Sequence, residues 1–161
     1  MAWTNRLCEL IGGFAASQQS APPVDKSNRD AFKSSLVAQL DSALQAADDT
    51  LTGLRKIQPS PIKGGDGVTD AFEKSFVRAH DILSTAKTKA EHIDTSDQES
   101  FTAGQQAVQK EVKKGQSVFG SAFSRFNENR ALLEAAAEAP ACKPLTNPSS
   151  QVPRTSQQPP Q

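Results

Sequence analysis

Apolar residues recur every three or four positions along two long stretches, and this spacing predicts the architecture. From 32 to 57 they are Phe32, Leu36, Leu40, Leu44, Ala47, Leu51 and Leu54. An α-helix returns to one face at that interval, whereas a strand returns at every second residue. The opposite face carries Lys33, Ser34, Asp41, Gln45, Asp48 and Asp49. From 68 to 93 the pattern repeats in Val68, Phe72, Phe76, Ala79, Leu83, Ala86, Ala90 and Ile93. A helix with a single apolar stripe draws most of its stability from a partner that covers the stripe. Between the two stretches lie Gln58-Pro59-Ser60-Pro61 and Lys63-Gly64-Gly65-Asp66-Gly67. Proline ends the first helix and the glycine-rich turn reverses the chain, so the two helices are expected to pack antiparallel.

Shorter elements flank this pair. Trp3, Leu7, Leu10, Ile11 and Phe14 predict a helix over 3–16. Gly12 and Gly13 weaken it by about 1 kcal/mol each relative to Ala unless they permit close packing. Pro22 and Pro23 make 17–25 a connector, and Ser27 or Asn28 suits the N-cap of the central helix. Asp70 with Lys74 and Lys87 with Glu91 have the four-residue spacing of surface ion pairs. Ser96 and Glu99 fit a capping box for a further helix. That helix offers Phe101, Gln105, Val108 and Val112, and then Phe119, Phe123 and Phe126 after an expected break at 114–117. Asn127 or Asn129 would cap a last helix through Leu132, Leu133, Ala136 and Ala137, which Pro140 ends. Of the nineteen residues from 143 to 161, five are proline, and Gln, Ser and Thr supply most of the rest. Such a segment buries too little apolar surface to offset its ordering entropy. The expected fold is therefore all-α: an antiparallel up-and-down bundle of four to five helices over 1–142, followed by a disordered tail over 143–161.

Charge narrows the function classes. Eighteen basic and eighteen acidic residues cancel, which argues against a general nucleic-acid binder, since these carry a basic excess. No run reaches the roughly eighteen apolar residues of a membrane-spanning helix. Asn5, Arg6 and Glu9 interrupt the N-terminal apolar stretch, so Met1 to Ser17 does not read as a signal peptide, and Asn5-Arg6-Leu7 does not form a lipobox before Cys8.

The sequence offers no catalytic constellation. His80 and His92 are twelve apart, roughly 18 Å along one helix, too far to share a ligand. A Glu-x-x-His motif is missing, and Gly64-Gly65-Asp66-Gly67 lacks the lysine and hydroxyl of a phosphate loop. No cofactor, metal site or enzymatic activity is expected. The candidate partner surface is the basic cluster Lys110, Lys113 and Lys114 together with Phe119, Phe123 and Phe126. The competing reading makes the lysines a solvated helix face and the phenylalanines core.

Cys8 and Cys142 are the only cysteines, one at each end of the helical region. They are either two unrelated thiols or a disulfide closing a loop of 134 residues. Two cysteines and two histidines this far apart do not suggest zinc, and the spacing is not Cys-x-x-Cys. Trp3-Thr4-Asn5-Arg6-Leu7-Cys8 and Ala135-Ala136-Ala137-Glu138-Ala139-Pro140-Ala141-Cys142 bracket the helical body, as do Pro22-Pro23-Val24-Asp25 and the turn from Pro59 to Gly67. This layout resembles that of small α-helical secreted or envelope proteins of actinobacteria whose function is unknown. The resemblance implies an extracytoplasmic setting and a Cys8–Cys142 disulfide, and it brings no activity. The expected function is a non-catalytic extracytoplasmic binding or structural module, secreted or in the cell envelope, with an unidentified protein or envelope partner. The alternative is an intracellular scaffold that pairs between chains through its two long amphipathic helices.

Overall fold

Residues 1–146 are described in the computed structural model, and all of their regular structure is helical. Helix α1 is Ala2–Gln19, α2 is Arg29–Lys56, α3 is Gly65–Glu91 and α4 is Gln98–Lys113. A 3₁₀ turn at Lys114–Ser117 leads to α5, Gly120–Glu128, and α6, Arg130–Glu138. A second 3₁₀ turn, Pro140–Cys142, runs into the four-residue α7, Lys143–Thr146.

The two amphipathic stretches form the central antiparallel pair. Lys33 Nζ donates to the Ile93 carbonyl at 3.0 Å, Lys87 meets Asp41 at 2.6 Å, and Arg55 meets Glu73 at 2.8 Å. Early residues of α2 thus face late residues of α3, and the reverse. Helix α3 is the hub, with α2, α4 and α5 packed on it, while α1 packs on α2. Phe72 and Phe76 of α3 are fully buried with Leu7, Leu54 and Leu132 in the larger core. A second cluster, Leu40, Ala86, Ala90, Ile93, Phe101 and Val108, joins α2, α3 and α4 at the other end.

Local chemistry accounts for the boundaries. Asn28 caps α2 by accepting from the Ala31 N–H at 2.7 Å. The N-cap of α4 is Asp97, which accepts from the Ser100 N–H at 2.8 Å. This replaces the expected Ser96–Glu99 box; a carboxylate at the helix N-terminus adds charge to the capping bond. Asn129 does two jobs: its Oδ1 accepts from the Leu132 N–H at 3.0 Å, and its Nδ2 donates to the Lys63 carbonyl at 2.9 Å. It therefore starts α6 and ties it to the α2–α3 turn.

Three expectations change. Helix α1 reaches Gln19 instead of 16, carrying its glycines in the interior. No ion pair joins Asp70 to Lys74 among the described residues, whereas Lys87 pairs with Glu91 at 4.0 Å as its spacing predicts, in addition to a shorter contact with Asp41. The expected tail boundary at 143 falls inside structure, since α7 continues the fold and Leu145 packs against the larger core. The rest of the expected tail, 147–161, lies outside the described residues.

Candidate functional site

The cysteines meet. Cys8 and Cys142 form a disulfide with their Cα atoms 5.0 Å apart, and both are fully buried. Three contacts set up the junction. Cys8 sits on the inner face of α1 beside Leu7 and Ile11. The Ala141 N–H donates to Asn5 Oδ1 at 3.1 Å, which aligns the Pro140–Cys142 turn against α1. Trp3 Nε1 donates to the Gln58 carbonyl at 2.8 Å, fixing the start of α1 on the α2–α3 connection. The Cys142 sulfur lies 3.6 Å from the Thr4 carbonyl oxygen; a disulfide sulfur has no proton, so this is a packing contact.

The lysines and phenylalanines of the expected partner surface separate. Lys110, Lys113 and Lys114 are exposed on α4 and the turn after it. Lys114 is held by Glu111 at 2.9 Å, and so is Lys89 of α3, also at 2.9 Å. Glu111 is buried between them, and the two ammonium groups, Lys114 first, hold its carboxyl below the ordinary value of 4.5. Phe126 belongs to the core at 4% exposure, so it cannot present a surface. Phe119 packs on Phe76 with ring centres 4.8 Å apart, and Phe123 on Phe72 at 5.1 Å. Their outer edges line a groove of about 700 Å³ together with Gly12, Gly13 and Phe14 of α1 and Leu145 of α7. Lys113 instead lines a cleft of about 450 Å³ between α2 and α4. Of the six residues, Lys113 lines the cleft, Phe119 and Phe123 line the groove and Phe126 is core, while Lys110 and Lys114 are exposed outside both.

His80 lies between two carboxylates, Nε2 at 3.4 Å from Asp48 and Nδ1 at 3.7 Å from Asp81. All three side chains are at least a third exposed, which leaves the group solvated. His92 Nδ1 lies 2.7 Å from the Thr88 carbonyl of its own helix. Among the described residues no cluster of His, Cys, Asp or Glu could hold a metal ion, and no helix is long and apolar enough to cross a membrane. The chain matches no protein family, no curated protein and no solved structure.

The cleft between α2 and α4 carries no signal in the sequence. Its walls come from three helices, and each wall residue alone reads as part of an ordinary amphipathic stripe.

Proposed function

We propose that the chain is a non-catalytic helical module that works outside the cytoplasm by binding, in the setting of the actinobacterial envelope group that its layout resembles. The observation that carries this is the Cys8–Cys142 disulfide, which joins both ends of the helical body inside the core. Disulfides persist in oxidising compartments and are rare where thiols are kept reduced. A buried, long-range bridge suits a structural staple rather than an exchanging thiol pair. The stripes of α2 and α3 pack within one chain, with Leu51, Leu54, Phe72 and Phe76 buried together. Less of each stripe is then left for the pairing between chains that an intracellular scaffold would use.

Fractionation of the cells that make the protein tests the reading. The expected result is oxidised protein in the envelope or the medium. Recovery as a reduced cytosolic protein would overturn it.

A further inference from the structure

The cleft between α2 and α4 is apolar inside and carries a cation at its rim. Phe32, Leu36 and Leu40 of α2 face Val108 and Val112 of α4, with Leu83 of α3 at the base. Phe32 and Phe101, in the first turns of the two helices, meet edge to face with ring centres 5.3 Å apart and bridge one end. The remaining length is open: Val112 is 42% exposed, and Leu36 and Leu83 are half-buried. These side chains keep apolar surface in water that nothing within the described chain covers.

The rim is polar and its composition is one-sided. Gln18 of α1, Gln39 of α2 and Gln105, Gln109 and Lys113 of α4 line it. No carboxylate does, although the chain as a whole has as many acids as bases. Lys114 is neutralised by Glu111, whereas Lys113 has no hydrogen bond or ion pair among the described residues. An apolar trough whose polar groups are neutral amides and one unmatched ammonium is complementary to an extended hydrocarbon ending in an anion.

We propose that this cleft binds a long-chain fatty acid. The hydrocarbon lies along Leu36, Leu40, Val108 and Val112, and the carboxylate sits at the rim against the Lys113 ammonium and the Gln109 amide. The volume of about 450 Å³ lies within the range of about 300–1,000 Å³ usual for small-molecule sites. A second copy of the chain or a partner helix would have to bring a separate carboxylate to Lys113, whereas a fatty acid carries hydrocarbon and anion in one molecule, so the rim favours the fatty acid. The proposal names a ligand for the binding module described above, and its test does not depend on the compartment in which the module works.

The probe is the fluorescent fatty acid parinaric acid, titrated into the full chain with its disulfide intact and displaced by palmitate or by methyl palmitate. The expected result is saturable one-to-one binding, with palmitate competing better than its ester. Lys113→Gln should weaken the acid by about threefold, the size of an exposed ion pair, and remove the preference for acid over ester. Val112→Glu, at an exposed position, should abolish binding while the helical circular dichroism and the melting temperature stay unchanged. Absence of saturable binding overturns the proposal, and so does an acid-over-ester preference that survives Lys113→Gln. Association with phosphatidylglycerol vesicles without binding of the free acid would assign the lysines to a membrane surface and overturn it. Dimerisation on sedimentation, lost in Val112→Glu, would give the cleft to a second copy and do the same.

Discussion

A buried carboxylate couples two helices through Glu111. Lys89 reaches it from α3 and Lys114 from the turn that follows α4, each at 2.9 Å. Because both cations favour the charged form, the folded-state pKa lies below the ordinary 4.5. The stabilisation is therefore complete above the unfolded value and is lost as the pH falls from about 4.5 through the lower folded value. Asp97 acts in the same direction, held low by the Ser100 backbone N–H and then by the Ser100 hydroxyl. Glu111→Gln should lower the melting temperature at neutral pH, and the gap from the parent should shrink as the pH drops below about 4. Melting curves across that range check this; a gap that does not change with pH would mean that the pairs contribute nothing through charge.

Glycines set the spacing between elements in one place and not in another. A Cβ on Gly53 of α2 would run into the δ carbons of Leu10 of α1, so the glycine is where the two helices come close. A Cβ on Gly12 would meet nothing within 4 Å. Gly12→Ala should stabilise the protein by about 1 kcal/mol through helix propensity, and Gly53→Ala should give no such gain because Leu10 must move. Denaturant titration of the two variants distinguishes these outcomes, and equal gains would contradict the packing. The contrast also marks the limit of the sequence. The stripes at 32–54 and 68–93 specify α2, α3 and their pairing, because their periodicity repeats over about six and about seven turns. The break at Lys114–Ser117 was legible from Gly115 and the loss of periodicity. The cap of α4 was not, since Asp97 and Ser96 both suit an N-cap and only the backbone geometry selects between them. Nor was the division of Phe119, Phe123 and Phe126 between groove and core, because it depends on how α5 rolls against α3.

For the whole molecule, the staple joins the first helix to the last turns of the described chain. The bridge spans 134 residues of sequence. In the chain-entropy account a loop of that length stabilises the folded state by up to about 5 kcal/mol, through restriction of the unfolded chain. Helix α1 is also held by the Trp3 and Asn5 hydrogen bonds and by the apolar contacts of Leu7, Leu10, Ile11 and Phe14. The cysteines were legible as a pair only in position: both lie at the ends of the helical body, while the contact itself depends on α1 and the Pro140–Cys142 turn arriving side by side. The most direct test is the intact mass of the protein from its native source, alkylated under denaturing conditions with and without prior reduction. A Cys8–Cys142 bridge gives no added label before reduction and two after it. Two labels without reduction would show that the ends are not joined where the protein works, and would remove the basis for an extracytoplasmic module.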